Sequence, residues 1–214
     1  MADFNSRSIN SFKAKLTGGG ARPNLFEVDL GFPDNLKNEG TGVPANKDAK
    51  EEGLFMVKAA ELPASNVGDI PVNFRGRILH VAGDRTFDPW TVTVINNTDW
   101  DLRKKFEDWS NYINDRTFDN GITNPTSYHA EAVVKQLARG KKAGTQKETK
   151  VPVVAQYKFF GMWPSQVSSI ALDYGSTDTI EEFQVTFQVE YWAPSYGEVT
   201  LGDPGKFSAT GGGS

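Results

Sequence analysis

Cysteine is absent from all 214 residues, which removes disulfide frameworks, thiolate nucleophiles and Cys-containing zinc sites together. Packing and hydrogen bonding must hold the chain. Apolar runs fall far short of the ~20 residues a membrane span needs, and the opening MADFNSRSINSF lacks an apolar signal core. A chain without a membrane anchor, made and kept in cytoplasm, is the expectation. Histidine is scarce too: His80 and His129 form no HExxH pair and have no carboxylates at ligand spacing, so no metal site is expected. A nucleophile elbow GxSxG and a phosphate loop GxxxxGKS/T are both missing, so no catalytic or cofactor-binding residue is assigned and an enzyme is not expected. Positive charge is in deficit, with a net charge of −4, which argues against a surface built to neutralise phosphates.

What is present is alternation. In LFEVDL, Phe26, Val28 and Leu30 alternate with Glu27 and Asp29, the period of a strand with one wet face. LFMVKAAELPAS reads as a strand ending at Pro63, NFRGRILHVAG as a strand starting after Pro71, and WTVTVIN as a third. Near the C-terminus follow VPVVAQYKFFGMW, SSIALDY and the long EEFQVTFQVEYW. One helix is predicted over 99–114: Thr98 can cap it, and Leu102, Phe106, Trp109 and Ile113 share a stripe. EAVVKQLA fits helix or strand by periodicity, and strand is preferred. The sum is a mainly β chain with one flanking helix. Residues 1–20, ending in a glycine triplet, read as a flexible arm; 21–193 as the β domain, with a polar insertion at 31–53; and 194–214 as a flexible tail.

Other candidates have plain alternatives. His80 alternates with Ile78 and reads as a packed or interface residue. Lys135, Arg139, Lys141, Lys142, Lys147 and Lys150 suggest a nucleic-acid patch, but the whole-chain charge favours a solvated loop or a contact with acidic neighbours. Asn96-Asn97-Thr98 matches a glycosylation acceptor, a match without meaning where no secretory signal accompanies it. Five tryptophans raise a remote alternative, a carbohydrate-binding β-sandwich. In EEFQVTFQVEYW, Phe183, Val185, Phe187, Val189 and Tyr191 form an apolar face, opposite Glu182, Gln184, Thr186, Gln188 and Glu190, a polar face without a cation. Such a strand suits an internal position in a sheet or a joint of an assembly equally well.

AGDRTFDPWTVTVINN at 82–97 resembles the tail tube proteins of contractile-tailed, T-even-like bacteriophages. ARPNLFEVDL, KAAELPASNVGDIPVNF, KKFEDW, GMWPSQVSSIALDY and EEFQVTFQVEYW continue the resemblance in order over roughly 21–192. The resemblance implies an antiparallel β-sandwich with one outer helix, closing with its neighbours into a continuous β-barrel tube of stacked hexameric rings. It also implies a structural virion protein of the inner tail tube, assembled in the host cytoplasm, through which the genome is ejected. Partners implied are further copies of the chain, the tail sheath protein, the baseplate tube initiator, the tape measure protein, the tail terminator, and passing double-stranded DNA held without tight binding. The alternatives are a baseplate tube initiator and a tube subunit of a phage-derived contractile injection system. On this reading Glu182, Gln184, Thr186, Gln188 and Glu190 face the lumen. Asp84, Arg85, Lys141, Lys142, Lys47 and Glu51 are candidates for contacts between subunits.

Overall fold

The computed structural model describes residues 9–16, 20–33, 36, 56–118, 120–138 and 153–196. In chain order they form α1 (Ile9–Lys15), β1 (Phe26–Leu30), β2 (Val57–Ala60), β3 (Asn66–Phe74), β4 (Arg77–Thr86), β5 (Trp90–Ile95), α2 (Asp101–Ile113), α3 (Pro125–Tyr128), β6 (Ala130–Leu137), β7 (Val153–Val167), β8 (Glu182–Gln188) and β9 (Tyr191–Tyr196). The strands order as β1-β6-β7-β8-β5-β2, with β9 pairing β7, while β3 and β4 pair with each other. The registered pairs are antiparallel, the expected class of fold. The chain divides into two compact units, one of residues 28–134 and 157–193, the other of 1–27, 135–156 and 194–214.

The core of the first unit follows from period two meeting period 3.6. On β5, Trp90, Val92 and Val94 are buried, and on β8 they face Phe187, Val185 and Phe183 in register, so apolar side chains align on one face. Onto that face α2 lays Leu102, Phe106 and Trp109. Phe106 meets Phe187 at 5.9 Å between ring centroids, Trp109 meets it at 6.1 Å, and Phe32 closes on both helix residues. Trp90 stacks on Phe159 at 4.4 Å. Both buried indoles spend their N–H inside the fold, Trp109 on the Tyr128 carbonyl at 2.8 Å and Trp90 on the Glu61 carbonyl at 2.9 Å. A sugar platform needs exposed rings, so these two tryptophans speak against the carbohydrate reading. Trp109→Ala should cost about 3–5 kcal/mol through the cavity it opens, read from the denaturation midpoint of the isolated subunit; an unchanged midpoint would contradict this packing.

The start of α2 differs from the expected Thr98 cap. Trp100 occupies the cap position in a left-handed conformation with φ 59, and no side chain caps the helix. Thr98 belongs to the turn that precedes it, where the Trp100 amide donates to the Asn97 carbonyl. Asn96 is nearly buried, its amide on the Glu181 carboxylate at 3.0 Å, so the glycosylation match is closed sterically as well.

In the second unit, residues 9–15 of the expected arm form the helix α1, with Ile9, Phe12 and Leu16 exposed. EAVVKQLA is strand, as preferred, because it lies in β6. Lys135, grouped in the sequence with a solvated basic run, is instead buried and pairs with Glu27 at 2.8 Å. The Gln136 amide beside it donates to the carbonyls of Arg22 and Leu25.

Candidate assembly surfaces

One ribbon dominates the middle of the chain. β2 pairs with β5 from Val57↔Val94 to Ala60↔Val92, and β3 pairs with β4 from Asn66↔Thr86 to Phe74↔Arg77. Together they trace one long hairpin from 57 to 95, interrupted at 61–65 and 87–89, and turning at Arg75 and Gly76. Both turn residues have positive φ, 46 and 80, the combination a tight hairpin of right-handed twist needs and glycine supplies without strain. The root of the hairpin is part of the sheet; its outer half extends about 30 Å at ~3.3 Å per residue. Every residue of that outer half is exposed except the half-buried Gly83.

Opposed residues of antiparallel strands share a face. Ile70↔Val81 and Val72↔Leu79 therefore lie on one side with Phe74, a face of five apolar side chains between 42% and 65% exposed. Asp69, Asn73, Ile78 and His80 form the other side, where His80 Nδ1 lies 2.7 Å from an Asp69 carboxylate oxygen. His80 is thus not packed within its own subunit. The strand β3 runs through Pro71, where the sequence predicts a boundary; the proline sits opposite His80 on an exposed ribbon, where its missing N–H costs little. The signal for this arm was present in the apolar residues at 70, 72, 74, 79 and 81 around Arg75-Gly76.

The second surface is the outward face of the sheet. On β8, Glu182 and Gln184 are exposed and Thr186 and Gln188 half-buried, opposite in sense to Phe183, Val185 and Phe187. Gln184 opposes Thr93, and Thr186 opposes Thr91 with hydroxyls 3.0 Å apart. The predicted long strand is shorter than its alternation suggests, since β8 ends at Gln188 and the chain bends before β9. Glu190 falls in that bend, its amide on the Phe160 carbonyl and its carboxylate 3.7 Å from His129 Nδ1. Its side chain fills the space over Gly161, where a Cβ would lie 2.4 Å from the Glu190 carboxyl carbon. Tyr191 likewise leaves the core, stacking on Phe160 at 4.6 Å while 45% exposed.

Asp84 and Arg85 lie near the base of the arm, in β4. Among the described residues no ion pair joins them; Arg85 donates to the Ser65 hydroxyl at 3.0 Å. Lys47, Glu51, Lys141 and Lys142 lie outside the described residues.

A mainly β fold carrying a polar strand face and an exposed apolar ribbon is the architecture of a structural class of protein. The family model described as phage tail tube protein matches residues 21–195. The chain is 38% identical over 178 residues to the tail tube protein gp19 of Enterobacteria phage T4, covering 82% of this chain and 93% of that protein, with the same figures for phage T6. A subunit in the cryo-EM structure of the anti-feeding prophage baseplate has the same fold at 12% identity, with a TM-score of 0.56 over 83% of this chain and 96% of that one. The chain belongs to the phage tail tube protein family. Its role is structural, as a component of the virion tail.

Proposed function

We propose that the chain forms stacked hexameric rings of the inner tail tube, with the polar face of β5 and β8 toward a lumen that passes double-stranded DNA during ejection. The observation that carries self-assembly is the arm: five exposed apolar side chains on one face of a ribbon are an unfinished interface. A second copy is the fitting occupant, since a tube repeats one subunit and each arm can close on its neighbour. Asp84 and Arg85 would then make contacts between subunits at the base of the arm. Gln184, Thr186 and Gln188, with Glu182, are the lumen residues on this reading, whereas Glu190 is left out because it turns to Gly161 and His129. An amide and hydroxyl wall gives phosphates no cation to condense on, so DNA slides. The tail sheath protein outside, the tape measure protein within, and the baseplate tube initiator and tail terminator at the two ends complete the partners, and no catalytic step is required of the chain. Negative-stain electron microscopy of the purified chain tests the reading. Long hollow tubes are expected; isolated rings would favour a baseplate initiator, and monomers at high concentration would overturn it.

A further inference from the structure

On one side of the sheet, over β2, β5, β8 and the end of β7, charge is confined to one pair; Lys158 and Glu131, on β7 and β6 further along the sheet, form a separate pair. Across β2, β5, β8 and the stretch of β7 that pairs with β8, Trp163–Val167, Lys58 is the one cation and Glu182 the one anion. The Lys58 ammonium is hydrogen-bonded to the Glu182 carboxylate. Two features of the sheet bring them together. A bulge between Val57 and Ala59 frees Lys58 from the pairing of β2 with β5, and a bulge of this kind re-aims the side chain it carries. Glu182, opposite Ile95, is the first residue of β8, so the lysine reaches it across β5. A further cation near this region, Arg103, is held on the helix side by Glu107, the Ser168 carbonyl and the face of Phe183.

We propose that Glu182 masks Lys58, so that this stretch of the lumen wall carries no free positive charge and the polyanionic backbone of DNA finds nothing to hold there. This rests on the lumen reading given above. The physical ground is that a lone ammonium repeated in every ring would bind phosphates with counterion release. A carboxylate in contact reduces its field to that of a dipole, which decays faster with distance and is screened further by salt. The pair is more than half exposed on the lysine side, so its contribution to the stability of the subunit is small. Its effect lies in what the wall presents to a passing strand.

The test uses whole virions carrying Glu182→Gln, Lys58→Gln, the double variant, and Gln184→Lys as a control that adds an unmasked cation to the same face. Intact tails are checked by microscopy, and genome ejection is timed between 50 and 200 mM salt. Glu182→Gln should slow ejection at the lower salt, by roughly threefold relative to the higher for each lysine engaged at once, from a slope of about 0.9 per phosphate contact. Lys58→Gln and the double variant should eject at least as fast as wild type, and the double variant should abolish the salt dependence. If Gln184→Lys slows ejection and Glu182→Gln does not, masking is overturned while the lumen reading stands. If neither variant changes the rate in intact tails, the lumen reading itself falls, and the inference with it. Should Glu182→Gln tails fail to assemble, the charge-swapped double variant Lys58→Glu, Glu182→Lys restores the pair; it must then restore both assembly and wild-type ejection, and a persistent delay would overturn the proposal.

Discussion

Tubes are expected to disappear when Val72 and Leu79 are both replaced by aspartate, while the subunit itself stays as stable as before. The two residues oppose each other in the arm and are 44% and 61% exposed, so the free subunit loses no core packing. Substitutions at such positions usually shift stability by less than ~0.5 kcal/mol. In a tube the same positions would be covered by a neighbour. Covering the exposed half or so of each apolar side chain is worth about 1–2 kcal/mol, and an unpaired carboxylate forced into the same contact adds a desolvation cost of several kcal/mol more. With one arm per subunit, the penalty recurs at every joint along the polymer. Sedimentation and electron microscopy would show subunits in place of tubes, with an unshifted melting temperature. Tubes of normal length from the double variant would mean that the arm meets solvent in the assembly.

The second large effect is expected from a positively charged wall. Gln184→Lys with Gln188→Lys places two unmasked ammonium groups per subunit on the outward face of β8, both on positions whose side chains point away from Phe183, Val185 and Phe187. Folding should be preserved, since neither residue contributes to the core. Ejection should stall at low ionic strength, where the Debye length is ~30 Å at 0.01 M, and recover as salt shortens it to ~8 Å at 0.15 M. Many contacts act at once, so the slowing should far exceed that of a single cation per subunit. Salt-independent, normal ejection from intact tails would show that this face does not meet DNA. Loss of assembly would place it in a joint between subunits.

Elements in which local pattern and burial agree were legible in the sequence. The alternation of WTVTVIN and EEFQVTFQ predicts which side chains enter the core, and Trp90, Val92, Val94, Phe183, Val185 and Phe187 are all buried. The stripe of α2 was equally readable, because Leu102, Phe106 and Trp109 repeat at helical spacing and have a sheet to cover. What failed were boundaries set by a single residue. Thr98 is a good capping residue by composition, yet the turn before the helix takes it out of reach and Trp100 supplies the left-handed residue instead. Pro71 reads as a strand end only where its neighbour needs the missing donor, and among the described residues β3 has no third strand beside it. Continued alternation carries no information about a bend, so it places Glu190 with residues from which the main chain separates it. The arm is illegible for a different reason. Periodicity reports two faces but not what covers them, and the apolar face of the arm looks in sequence like a core.

The solitude of β3 and β4 bears on how a tube begins. A two-stranded ribbon without a third strand or a packed face is only marginally stable in water. This one is anchored at its root, through the pairing of β2 with β5, and among the described residues has no such support toward Arg75 and Gly76. In a free subunit the outer ribbon would therefore fray, and two subunits meeting in solution would spend part of their contact energy on ordering both arms. A growing end would present arms already held by the ring behind them. Addition to an end then escapes half of that entropic cost, so polymerisation would show a lag at low concentration that a preformed ring removes. Nucleation would be slow and elongation fast, a kinetic contrast that favours extension from a template over spontaneous tubes in the host cell.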